Sequence, residues 1–434
     1  MGKGVKGNGL CRPMTRRSFL AGSLATAGVA LGSRRVASAA QSESIVYWTL
    51  LKPGDANPRA RAETQIIENF TKKTGVRVQV EVIPWFELDR KLITATAANT
   101  GPDVSRTDPL RLPLHWAANS IVPLDQYFAD WSQQERDDLV AWNYSVNEGK
   151  KWAFPISIVP YMQYYRKDLF DEQKLQPAKT WAEFAETTKK LTIPRQRWGF
   201  AMGLGRSSAF FVHTYFALVW SAGGEILDQK GKAVYNGEQG VKALQYVYDL
   251  VHTVGSMPAE TVNYTYDEVN DTFKAGKLAV FFEGSHRYLA TQAADAVKGK
   301  IGLAPMPSWD GKEPAPTTMT GWHIGIPRTS KKKDLAWEFI KHYTSKESAL
   351  IQSGVAGEIP VRKSVLSDPI YAKPETAHIR IFGDYMNKTG RPVPKTVNWD
   401  QLVDGLLLAH HAVISKQKTP KQALDEAAAV FNAL

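Results

Sequence analysis

One cysteine occurs in 434 residues, Cys11, and it precedes the short apolar run of residues 19–32. The chain beyond it therefore has no disulfide, no thiol nucleophile and no thiolate metal ligand. A lipid anchor would need a cysteine directly after that run, and none is there. No stretch reaches the roughly 20 apolar residues that span a bilayer. G-x-S-x-G, H-E-x-x-H, G-x-x-x-x-G-K-[ST] and G-x-G-x-x-G are all missing, and Gly203-Leu204-Gly205 lacks a third glycine. His410 and His411 are adjacent on an expected helix, so their side chains diverge and joint metal ligation is not expected. No catalytic residue, metal or cofactor is assigned on these grounds. Repeats, low-complexity tracts and flexible linkers are likewise absent after residue 40, so lobes should be joined by strand crossings.

The formal charge of +11 resembles that of a nucleic-acid binder, but it is unevenly spread. Residues 1–40 hold Lys3, Lys6, Arg12, Arg16, Arg17, Arg34 and Arg35 with no acid, which leaves +4 for the rest. No nucleic-acid partner is expected. Residues 1–39 read instead as an export signal: Thr15-Arg16-Arg17-Ser18-Phe19-Leu20, a weakly apolar run, then Ala37-Ser38-Ala39 as a cleavage site. The arginine pair resembles a twin-arginine signal rather than an ordinary Sec signal. A soluble periplasmic product starting near Ala40, acting as a monomer, is the expectation.

With 43% hydrophobic residues the chain can bury a large core, and its strand and helix signals alternate throughout, predicting an α/β fold of two lobes. Residues 45–50 (IVYWTL) read as a buried strand, and Val76, Val78, Val80 and Val82 alternate as a second. Helices are predicted from Ala62, Ile66, Ile67 and Phe70 at helical spacing, and over 85–98, 208–222, 238–254, 266–275, 286–297, 333–351, 399–415 and 419–433. Thr180-Trp181-Ala182-Glu183 is a capping box.

Several motifs then occur in one order: Ile67-Glu68-Asn69-Phe70 with Lys73-Thr74-Gly75-Val76, residues 97–104 (AANTGPDV), residues 164–170 (YYRKDLF), Ala222-Gly223-Gly224-Glu225, residues 273–283 (FKAGKLAVFFE) and residues 321–327 (GWHIGIP). In that order the chain resembles the bacterial extracellular solute-binding proteins of sugar-type ABC importers, the maltodextrin-binding group, over about residues 45–434. The resemblance implies a two-lobed, type II-like periplasmic-binding-protein fold with three hinge crossings. They fall near Pro155, near 322–325 and around 345–350. Lobe 1 is then 40–155 and 325–348; lobe 2 is 156–324 and 349–434. It implies capture of a carbohydrate-like small molecule by hinge closure and delivery to an ABC permease, with no enzymatic activity.

Sugars offer apolar C–H faces and rings of hydroxyls, so a sugar cleft needs flat aromatics beside short polar groups. Trp48 ends the first strand, where open α/β sheets face their ligand crevice, although a core role is the other reading. Thr107 and Asp108 follow a strand where the family contacts solute; Asp108 also fits as a cap for the turn at Pro109. By the same resemblance Trp85, His213, Glu283-Gly284-Ser285-His286, Gly321-Trp322 and Asn398-Trp399 are candidates. Trp85 has a packing role as its alternative, and His213 a structural one. The crossing 156–160 is mostly apolar, and Ser157 is its only hydrogen-bonding side chain, a departure that leaves the sugar class open. A non-sugar solute, such as a glycerol-phosphate ester or a polyamine, is a second reading; a phosphate would need arginines such as Arg106 or Arg287. A periplasmic glycoside-active enzyme is a third.

Overall fold

The computed structural model describes residues 43–129, 131–140, 145–205, 210–374 and 376–434; the expected export signal lies outside them. A βαβαβ run comes first: β1 (Ser44–Thr49), α1 (Pro58–Thr74), β2 (Arg77–Val82), α2 (Leu88–Ala97) and β3 (Val104–Thr107). β1 is parallel to both β2 and β3 and lies between them, which is why its sequence is almost continuously apolar. Asn57 caps α1 by accepting the Arg59 N–H, Pro58 opens it, and Gly75 at φ +77° closes it after Lys72 and Lys73. The buried face of α1 presents Ala62, Ile66 and Phe70 as the spacing predicts, together with Glu63.

Glu63 survives in that core because every neighbour satisfies it. Arg106 of β3 pairs with it, Tyr343 donates to it at 2.7 Å, Thr49 at 2.6 Å and Tyr47 at 3.2 Å.

The chain leaves the first sheet through β4 (Phe154–Val159), buried along its whole length, and turns at Pro160 into β5 (Tyr161–Arg166). A second sheet follows. It contains β6 (Trp198–Phe200), then, beyond α3 (Phe211–Ser221) and α4 (Tyr266–Lys274), β7 (Leu278–Gly284) and β8 (Ile301–Ala304), in the order β8-β5-β7-β6. β9 (Thr317–Gly325) returns. Its first residues pair with β10 (Gly390–Pro392), its middle with β4, and its last with β3. β4 and β9 thus form a two-stranded crossing from one sheet towards the other.

Two differences from the sequence reading have local causes. The expected helix over 333–351 is two, α5 (Lys333–Tyr343) and α6 (Lys346–Ile351), because the Ser345 side chain accepts the Ser348 N–H and starts a new helix. α6 and the π-turn Gln352–Ala356 pack on α1. Gly357 follows in the left-handed region, and Ile359 bridges Ile158 of β4. Finally α7 (Ala377–Thr389) was not anticipated. Gly383 in its middle weakens its helical signal, although Ile379, Phe382 and Met386 line its buried face. The late helices α8 (Trp399–Ile414) and α9 (Pro420–Asn432) lie within a residue or so of their expected bounds. The capping box at Thr180 is present. No helix among the described residues is long and apolar enough to cross a membrane.

Candidate ligand-binding cleft

The loops after β1, β2 and β3 and those around β5 and β7 converge on a cleft with about 770 Å³ of empty space, part of it open to solvent. Leu50, Trp85 and Asp108 come from the C-terminal ends of the three parallel strands, the edge where open sheets receive ligands. Tyr161, Phe210, His213, Tyr266, His286 and Arg287 face them, and Thr320, Gly321 and Trp322 of β9 form the floor.

Aromatic rings make most of this wall. Phe210 stacks on Tyr266 with centroids 3.8 Å apart, and Trp85 meets Phe210 edge-on at 5.3 Å. Tyr161 stacks on His213 at 3.8 Å, and the His213 Nδ1 lies 2.6 Å from the Thr318 hydroxyl. Burial lowers the His213 pKa to about 3, so its ring is neutral at pH 7. The Arg287 guanidinium lies 4.1 Å over the Tyr266 ring.

Polar groups are few and held in place. Asp108 caps the turn at Pro109 by accepting the Leu110 N–H and also pairs with Arg111 at 3.1 Å. Asp108 is thus the cap of this turn and at the same time lines the cleft. Burial raises its pKa to about 6, and nearby Asp89 adds to the rise against the pull of Arg111. Arg111 reaches on to Asp400 at 2.9 Å, and Arg90 meets the same carboxylate at 3.3 Å. The Arg59 Nε donates to Glu358 at 2.7 Å.

Of the residues singled out in the sequence, Trp85, Asp108, His213, His286, Gly321 and Trp322 line the cleft. The others sit elsewhere. Trp48 is core, its indole N–H donating to Glu81 at 2.7 Å. Trp399 is fully buried with its edge towards Phe216, and Asn398 at the start of α8 makes no side-chain cap. Thr107 and Ser157 are buried within paired strands. Glu283 lies beneath the wall, accepting the Tyr266 hydroxyl and the Gly284 N–H; burial raises its pKa. Ser285 is buried and does not cap the short turn it opens, since no side-chain bond closes that turn. Trp85 precedes its helix, which starts at Leu88, and sits in the turn after β2.

Two glycines are required by close approach. A Cβ on Gly284 would stand 2.5 Å from Val159 Cγ1. Gly321 has φ +143°, and a Cβ there would lie 2.1 Å from the Ser157 carbonyl oxygen. Gly321→Ala is expected to cost about 1–3 kcal/mol of stability, read from a urea midpoint. An unchanged midpoint would mean that β4 and β9 separate freely at this point. A register shift directly follows between Trp322 and His323, which leaves Ile156 of β4 without a partner across from β9.

Arg59, Arg111, Tyr161, Phe210 and Tyr266 were not picked out from the sequence. Arg59 and Arg111 each belong to a turn closed by a cap, Asn57 and Asp108, but nothing local says what the arginines face.

The family model described as bacterial extracellular solute-binding protein matches residues 56–350. A probable ABC transporter-binding protein of Deinococcus radiodurans is 25% identical over 82% of this chain and 86% of its own. An arabinooligosaccharide-binding protein of Bacillus subtilis is 24% identical over 84% of this chain and 87% of its own. Among solved structures, maltose-bound MalE3 of T. maritima superposes with a TM-score of 0.79 at 24% identity, covering 90% of this chain and 99% of that one. The fold is therefore the two-lobed α/β fold of these binding proteins.

Proposed function

This chain belongs to the bacterial extracellular solute-binding protein family, and from that premise we propose that it captures a carbohydrate between its lobes for an ABC permease. The observation that carries the carbohydrate reading is the aromatic wall. Trp85, Phe210 and Trp322 line one cleft with flat apolar surfaces suited to the C–H faces of a sugar, backed by Tyr161, stacked on His213, and by Tyr266, held between Phe210 and Arg287. Asp108, Thr320 and His286 supply polar atoms for hydroxyls.

Lobe 1 of this reading is residues 43–155 and 325–356, and lobe 2 is residues 156–324 and 357–434. The packing of residues 346–356 on α1 supports extending lobe 1 beyond residue 348. Solute touches both lobes only when they close, so binding shifts the open–closed equilibrium towards the closed form. The Asp400 carboxylate, reaching from α8 to Arg90 and Arg111, supports such closure. The protein binds without turnover.

The test is a panel of neutral and acidic oligosaccharides, followed by thermal unfolding and product analysis. A true solute at about 100 times its Kd stabilises the fold by about 2.7 kcal/mol. Stabilisation without product supports this function; product release would favour the glycoside-active alternative, and a panel with no stabilising member would end the carbohydrate reading.

Export to the periplasm by the twin-arginine route belongs to the same proposal. Replacing Arg16 and Arg17 together by lysine is expected to leave precursor in the cytoplasm, scored by fractionation. Undiminished export of that variant would point to the Sec route.

A further inference from the structure

A second cavity adjoins the aromatic cleft, and the carbohydrate reading leaves it without a role. It holds about 660 Å³ of empty space, is mostly polar, and shares Arg59, His286 and Arg287 with the first. These three residues form the seam between the cavities. Arg59 comes from the start of α1 in lobe 1, while His286 and Arg287 follow β7 in lobe 2. Lys274, paired with Asp271 at 3.3 Å, also lines the second cavity, where the one lining carboxylate is Asp267.

Each guanidinium at the seam is only partly used. Arg59 spends its Nε on Glu358, while its Nη2 is buried with no hydrogen-bond partner among the described residues. Arg287 spends one terminal nitrogen on Asp267 and lays its plane over Tyr266. Both side chains line the shared cavities and keep part of their surface open, 12% for Arg59 and 24% for Arg287, and that open part is what an anion would meet. Each arginine already has one carboxylate partner, Glu358 or Asp267, so an anion at the seam adds a shared partner that bridges the two lobes.

We propose that the seam is an anion subsite: the carbohydrate bound in the aromatic cleft carries a carboxylate or phosphate that is held between Arg59 and Arg287. This rests on the carbohydrate reading and narrows it to an acidic sugar, with the second cavity receiving whatever extends beyond the charged group. Arginine suits the task because its planar fork takes a carboxylate or phosphate on an edge that remains free. The same two guanidiniums disfavour a polyamine, which would meet like charge at the point where the lobes converge.

The experiment is calorimetric titration of the full exported chain with matched probes. Glucose and maltotriose are the neutral members; glucuronate, trigalacturonate and glucose 6-phosphate are the acidic ones. Acidic members are expected to bind about tenfold tighter or better. Arg287→Gln should weaken acidic members about tenfold more than neutral ones, and Arg59→Gln should do the same. Arg287→Gln is the safer variant for folding, because its partner Asp267 is largely exposed, whereas Arg59→Gln strands the buried Glu358. Binding of the uronates alone identifies a carboxylate, and binding of glucose 6-phosphate alone a phosphate ester; either supports the subsite. Neutral sugars binding as tightly as acidic ones, or arginine variants weakening both classes equally, overturns it and leaves the carbohydrate reading intact. Failure of every probe to bind overturns both.

Discussion

Glu63→Ala is expected to lower the unfolding free energy by about 3–5 kcal/mol, the usual cost of stranding one member of a buried ion pair. Arg106 has only 2% of its side chain exposed, so its charge has no route to solvent once the carboxylate is gone. Tyr343 and Tyr47 lose their acceptor at the same stroke, and Thr49 loses one too. Urea unfolding of the variant is the measurement. The companion Glu63→Met with Arg106→Leu removes both charges for apolar volume, and it should recover most of the loss. If Glu63→Ala alone costs less than about 1 kcal/mol, water reaches the cluster and the pair is not buried in solution. The effect is purely on folding, since neither side chain lines the cleft. Arg106, which the sequence offered as a phosphate ligand, is committed to this core.

The second large effect is on binding. Trp322→Ala is expected to weaken carbohydrate binding by about 1–3 kcal/mol, roughly 5- to 150-fold in Kd. The indole is half-buried on β9, with one part facing the cleft and another resting on the core of the first sheet. Truncation therefore also costs some apo stability, about 1 kcal/mol for the apolar area exposed. Trp322→Phe separates the two contributions: it keeps an aromatic face for the sugar while shrinking the packed volume. Calorimetry of both variants against the tightest sugar decides the matter. An unchanged Kd for Trp322→Ala would make this residue packing alone and would remove the floor of the proposed site.

Much of the fold was legible because it is built from local rules. The spacing of Ala62, Ile66 and Phe70 marks the buried face of α1, Thr180 and Glu183 close a capping box, and the alternating valines of β2 emerge as a strand. α7 was missed for a local reason as well, a glycine within a helix whose apolar face is otherwise regular. The site divided differently. Gly321 and Trp322 were singled out through the family resemblance, and both line the cleft. Trp48, Trp399 and Glu283 carry the same chemistry as cleft residues, yet they lie in the core or behind the wall.

What the chain determines by itself is the succession of strands and helices, the near-neutral charge after residue 40, and the absence of thiol chemistry. Those follow from periodicity, caps and composition, which act between residues close in sequence. Which face of each strand-end looks into the cleft was decided only by tertiary structure. The pairing of β9 with β3, β4 and β10, and the placing of Arg59 and Arg287, more than two hundred residues apart, on one cavity, depend on how the two sheets twist and dock. No local pattern encodes that docking, because its energy comes from surfaces assembled out of distant segments.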